Sequence, residues 1–175
     1  GGEGGGRGDL CESRPPPTHP LTQPPHTHSH TPLHTGDAFG GNNIGDEGMK
    51  AFSSALSSGA LASLQTLWLH NNKIGDEGVE YLARALHHEN CRVTDLDLTT
   101  NNISDASVEY LVRALQHENC CVTNLNLSDN NIGAEGAAGL VLPPGIQILN
   151  FTGNKIGDEG AKGLVLPPGL KKLDL

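Results

Sequence analysis

One phrase recurs along this chain and dictates what it can fold into. It is first written Leu64-x-x-Leu67-x-Leu69-x-x-Asn72-x-Ile74. It returns as Val93, Leu96, Leu98, Asn101, Ile103, and again as Val122, Leu125, Leu127, Asn130, Ile132. A fourth copy runs through Ile146, Leu149, Phe151, Asn154, Ile156, and a fifth through Leu170, Leu173, Leu175. Successive copies begin 29, 29, 24 and 24 residues apart. A period of that length specifies a stacked solenoid in which equivalent residues form rows, and a solenoid is more often a binding surface than a reaction vessel.

Each unit can be built from its residues. In Leu67-Trp68-Leu69 successive side chains point to opposite sides, so the two leucines enter the core and Trp68 faces out. A strand this short, repeated in every coil, pairs with its copies into a parallel sheet. After the strand the chain turns inward and backbone groups lose their ladder partners. A carboxamide both donates and accepts, so Asn42, Asn72, Asn101, Asn130 and Asn154 are expected to form a structural ladder, serving their own turns and the next coil. In Ile74-Gly75-Asp76-Glu77-Gly78 the aspartate is placed to accept from the first free amides of a helix. Gly78, Leu82, Ala85 and Leu86 then share one helical face, while Glu80, Tyr81 and Arg84 lie off it. The small Gly78, replaced by Ser107 in the following coil, is expected to let the helix approach the strand.

The later coils are shorter. Val141-Leu142-Pro143-Pro144-Gly145 and Val165-Leu166-Pro167-Pro168-Gly169 should end their helices early, thinning the outer wall and straightening the arc toward the C-terminal end. Residues 37–63 read as a degenerate opening coil that keeps Phe39 and Ile44, with a helix from about Glu47 to Leu56. Nothing comparable closes the other end, so the repeats, about five coils over 37–175, are expected to be truncated at the C-terminus.

Composition divides the chain. Residues 1–36 are crowded with Gly, Pro, Thr and His and hold almost no aliphatic side chains, so they are expected to be a disordered tail. A net charge of −9, from 20 acidic and 11 basic residues, opposes nucleic-acid binding. No run is apolar enough to span a membrane. With no secretory signal visible, the expected location is cytoplasmic. The four cysteines do not make a disulfide scaffold: Cys91 and Cys120, 29 residues apart, read as buried thiols in neighbouring coils, Cys121 as solvent-facing, and Cys11 as part of the tail.

The stretch Leu64 to Leu86, together with its later copies, resembles the ribonuclease-inhibitor-like class of leucine-rich repeats. Similar coils occur in ribonuclease inhibitor, in the sensor ends of NOD-like receptors and in Ran GTPase-activating protein. The Pro-Pro-Gly coils depart from the mammalian inhibitor pattern and look more like the mixed repeats of algal and other protist proteins. The resemblance implies an α/β fold, a leucine-rich-repeat solenoid or horseshoe with a concave parallel sheet and convex helices. It implies little about function, because this scaffold serves many partners.

Core packing asks nothing of the outward strand positions, which leaves them free to encode a partner. The candidates form three columns: Thr66, Asp95, Asn124, Ile148, Lys172; then Trp68, Asp97, Asn126, Asn150, Asp174; then His70, Thr99, Ser128, Thr152. The expected partner-binding residues among them are Thr66, Trp68, His70, Asp95, Asp97, Thr99, Asn124, Asn126, Ser128 and Asn150. Trp68 is the only tryptophan, and aromatic anchors dominate binding hot spots. Asp95 and Asp97 beside it point to a basic partner segment.

Other motifs carry less. His19, His26, His28, His30 and His34 lie in a polar tract with no second shell to fix them, so no metal site is expected. Arg7-Gly8-Asp9 matches the integrin tripeptide, and Asn102, Asn126 and Asn150 open glycosylation sequons that the repeat itself generates. There is no nucleophile elbow, phosphate loop or acid pair, so no catalytic residue, cofactor or small-molecule substrate is expected. The expected function is a non-enzymatic protein-interaction module, with a sensor or GTPase-activating-type regulatory segment of a larger protein as the alternative.

Overall fold

A computed structural model of the protein describes residues 39–175. The tail over 1–36, with its histidines, Arg7-Gly8-Asp9 and Cys11, lies outside those residues. Ten elements alternate along the chain: α1 (Asp46–Ser57), β1 (Thr66–Trp68), α2 (Asp76–Leu86), β2 (Asp95–Asp97), α3 (Asp105–Gln116), β3 (Asn124–Asn126), α4 (Ala134–Gly139), β4 (Ile148–Asn150), α5 (Gly157–Gly163) and β5 (Lys172–Asp174). The five strands form one parallel sheet in chain order, with each residue paired to its equivalent in the next coil, as in Leu67 with Leu96 and Leu96 with Leu125. This is an α/β solenoid with the sheet on one side and the helices on the other.

The repeated apolar positions stack into the core. Leu67, Leu69, Ile74, Leu82, Ile103, Leu111, Leu127, Ile132 and Leu149 are fully or almost fully buried. Helix α2 buries Gly78, Leu82, Ala85 and Leu86, the face its spacing predicts, and Val79 and Ala83 beside it. At the opening coil Met49 and Leu56 of α1 are buried and the Phe39 ring meets Phe52 edge-on, covering the first full repeat. At the other end Val165 is 56% and Leu175 54% exposed.

The carboxamide of Asn101 donates to Leu98 O and Thr99 O of its own turn and to Leu69 O of the coil before. Its Oδ1 accepts from the Ile74 amide. Asn72, Asn130 and Asn154 reach back in the same way, to Phe39 O, Leu98 O and Leu127 O. The neighbour served is thus the preceding coil, not the next one. Asn42 lies on an exposed turn, and it is its backbone amide that meets Asn72 Oδ1. Immediately before each ladder asparagine the chain passes through left-handed backbone at Gly41, Asn71, Thr100, Asp129 and Gly153. That conformation turns the next residue inward.

The aspartates run the other way. Asp76 does not cap its own helix, whose N-cap is Gly75 and has no side-chain cap. Its carboxylate reaches forward to the Ser104 amide at 2.9 Å and the Ser104 hydroxyl at 2.6 Å, at the start of α3. Asp46 likewise accepts from the Gly75 and Gly78 amides of α2, and Asp105 from the Gly133 amide of α4. Each carboxylate therefore sits on the positive end of the next coil's helix. This corrects the role expected of Gly78. A Cβ there would lie 2.6 Å from Asp46 Oδ1, so glycine admits the neighbouring coil's carboxylate and not its own strand.

The outer wall changes character after α3. Helices of 12, 11 and 12 residues give way to helices of 6 and 7 where the Pro-Pro-Gly segments intervene. The chain then extends, and Val141 bridges Val165 in parallel, a second small pairing on the convex side. Gln116 Nε2 donates to Val141 O across the step. Beside it, between α3 and α4, lies a groove of about 410 Å³ bordered by Val112, Arg113 and Gly139.

Candidate functional site: the concave sheet face

Because the register is one to one, the outward strand residues line up in columns. Thr66, Asp95, Asn124, Ile148 and Lys172 are paired in sequence, and so are Trp68, Asp97, Asn126, Asn150 and Asp174. A shallow depression of about 220 Å³ runs across these two columns, with Trp68 at one end and Lys172 and Asp174 at the other. All of its outward residues except Ile148 and Lys172, which are exposed, are half-buried, as on a concave sheet where neighbouring rows shade one another.

The polar groups are held in place by one another. Asn124 Nδ2 donates to both oxygens of Asp95, at 3.0 and 2.9 Å. Asp97 Oδ1 accepts from the Thr99 amide at 2.8 Å and its hydroxyl at 2.5 Å. Asn126 Oδ1 takes the same two donors from Ser128, and Asn150 Oδ1 the Thr152 amide. This Asx turn, two residues on from each strand's end, recurs in three coils and sets the aim of the middle column. At the far end Lys172 Nζ is 2.7 Å from Asp174 Oδ2.

The third column is uneven, from the buried Ser128 to the exposed Thr152. Ser128 is 6% exposed and its hydroxyl is also 3.1 Å from Thr99 Oγ1. The His70 ring lies against Gly40, so closely that an added Cβ would strike the imidazole. Of the ten partner-binding candidates, Trp68, Asp95, Asp97, Asn124, Asn126 and Asn150 line the depression, Thr66 and Thr99 adjoin Asp95 and Asp97, His70 is half-buried against Gly40, and Ser128 is buried. The sequence could not reveal the covering, since it depends on the opening turn and on a hydroxyl network between coils.

The convex side is chemically different. Arg84 pairs with Glu80, Arg113 with Glu109 and Lys162 with Glu159, one helical turn apart. Arg92 donates to Glu89 O and Cys91 O in a return loop. No arginine among the described residues lies on the sheet. In the return loops a second asparagine pair, missed in the sequence, closes the helix ends: Asn90 Nδ2 donates to Ser57 O and Asn119 Nδ2 to His87 O. The recurrence of Glu-Asn-Cys at 89–91 and 118–120 was the available signal.

The His87 and His117 rings lie with centroids 4.9 Å apart, tilted by 35°. Burial lowers the His87 pKa below the ordinary value, and the adjacent His117 and His88 lower it further. Cys91 and Cys120 are buried thiols, and burial pushes the Cys91 pKa up, away from reactivity. Cys121 is buried too, contrary to expectation, with its sulfur near Asn119 O. Among the described residues no group of three or more His, Cys, Asp or Glu side chains could hold a metal ion. No helix among them is long and apolar enough to cross a membrane.

A family model for Leucine Rich repeats matches residues 38–53, 60–83, 89–112, 118–141 and 146–165, together more than half of the chain. Each segment from the second onward begins near a strand and runs into the element behind it. No curated protein matches the chain.

Proposed function

The chain belongs to the leucine-rich repeat family, and from that membership we propose that it is a non-enzymatic interaction module holding a protein partner on the concave face of its sheet. The observation that carries this is the open row of Trp68, Asp97, Asn126 and Asn150, which serves no core and whose three polar members are held by hydrogen bonds. Groups ordered in advance lose little conformational entropy when a partner arrives. An enclosed cavity able to tune acid and base groups is what catalysis would need, and the concave depression is shallow and wet.

The ribonuclease-inhibitor-like class fits the two 29-residue coils, whose helices run 11 and 12 residues behind a three-residue strand. The regulatory, GTPase-activating alternative gains nothing here, since Arg84, Arg92 and Arg113 lie on the helices and return loops. A cytoplasmic location is part of this reading, and the acidic net charge of −9 opposes nucleic acid and anionic membrane surfaces as partners.

The test is blockade of one face at a time. Proteins captured from a cell extract by the full chain should be lost when Asn126→Arg and Asn150→Arg are combined. They should be retained by Glu109→Arg on the convex side. Equal loss from both variants, or capture unaffected by the concave pair, would overturn the proposal.

A further inference from the structure

The concave face is not electrically uniform. At its β5 end Lys172 and Asp174 neutralise each other, and its middle is carboxamide, from Asn124, Asn126 and Asn150. On the convex side Arg84, Arg113 and Lys162 are likewise paired with glutamates of their own helices. At the β1–β2 end, by contrast, Asp95 and Asp97 have no ion-pair partner among the described residues. Trp68 stands directly beside Asp97, its register partner on the neighbouring strand, at the strand spacing of about 4.8 Å. Its indole N–H has no hydrogen-bond partner among the described residues.

Resting on the concave-face function proposed above, we infer that the partner is an extended basic segment that seats an arginine side chain on Trp68 between Asp95 and Asp97. A guanidinium matches all three groups at once: its plane stacks on the indole face, and its fork of N–H donors meets carboxylate oxygens. The carboxylates are already oriented. Thr99 occupies Oδ1 of Asp97 and leaves Oδ2, while the two bonds from Asn124 fix the plane of Asp95 and leave each oxygen a second lone pair. A lysine would meet one carboxylate as a point charge but would not stack. The carboxamides suit the backbone of an extended chain leading away toward β5: Asn124 keeps its Oδ1 to accept, Asn126 its Nδ2 to donate, and Asn150 its Nδ2 together with a second lone pair on Oδ1.

Trp68 is the only tryptophan in the chain, so its emission reports on this site alone. A library of random heptapeptides would be selected on the immobilised full chain, and each selected peptide titrated while following Trp68 fluorescence. The selected peptides should be enriched in arginine and should shift the emission saturably. Replacing that arginine by neutral citrulline, which keeps the shape, should weaken binding about tenfold or more. Asp97→Asn should do the same, and high salt should weaken the arginine peptide more than the citrulline one. Selected peptides without arginine, peptides indifferent to citrulline, or an unresponsive Trp68 would overturn the inference. If that happens while the Asn126/Asn150 variant still abolishes capture, the face binds a partner of different chemistry and only this inference falls.

Discussion

Asn101 spends one carboxamide on four backbone groups, three carbonyls and an amide, and two of the four belong to the coil before it. Asn101→Leu would fill similar space while stranding Leu69 O and the Ile74 amide in a dry interior. It should cost roughly 1–3 kcal/mol, read as a lower urea midpoint at unchanged slope; an unaltered midpoint would mean the ladder is not a source of stability. One residue earlier, Thr100 adopts φ of 54°. The equivalent positions are Gly41, Asn71, Asp129 and Gly153, types that tolerate left-handed backbone, whereas Thr100 is β-branched. Thr100→Asn should therefore raise stability by about 1 kcal/mol. A lower melting temperature would show that the threonine hydroxyl or methyl does something the backbone geometry does not reveal.

At the scale of the element, each 29-residue coil is tied to its neighbours at both ends of its helix. Asp105 closes the step from α3 to α4 through the Gly133 amide, and Asp105→Ala should lose about 1 kcal/mol, the usual cost of a missing cap. The next rung does not exist, because Ala134 stands where Asp46, Asp76 and Asp105 stand in the earlier coils. There Gly160 closes directly on Ala134, and a Cβ at Gly160 would come within 2.9 Å of the Ala134 Cα. At the other end of α2, His87 titrates below its ordinary value of 6.5. The unfolded chain then takes up that proton first. Stability should be whole above about pH 6.5 and fall as pH drops below it, until the folded-state imidazole itself protonates. His87→Gln, the residue found at the equivalent Gln116, should flatten this part of the melting-temperature profile. A profile as steep as the parent's would place the acid sensitivity elsewhere.

The whole molecule sorts its residues by row. A row either fills the core, closes turns between coils, or faces out from the sheet, and Trp68 belongs to the third kind. Trp68→Ala should thus weaken partner binding while moving the melting temperature less than Asn101→Leu does. A larger fall would assign Trp68 to the fold. Thinning of the outer wall is likewise a property of the assembled stack: α4 and α5 are about half as long as α3, and the Val141–Val165 bridge replaces helix with extended chain. The Pro-Pro-Gly segments announced the shortening, but not the pairing, since a bridge needs a neighbour at the same height.

The sequence by itself determined the number of coils, the inward and outward rows of each strand, the helix faces and four of the five ladder asparagines, all but Asn42. Those follow from local periodicity and from the chemistry of a carboxamide at a turn. Tertiary structure decided which neighbour each polar side chain serves. Asn101 reaches backward and Asp76 forward, Gly78 makes room for Asp46, Ser128 and Cys121 are covered, and His70 is packed against Gly40. A repeating sequence looks the same in both directions along the stack, and only the offset between coils in space tells a side chain which neighbour lies within reach.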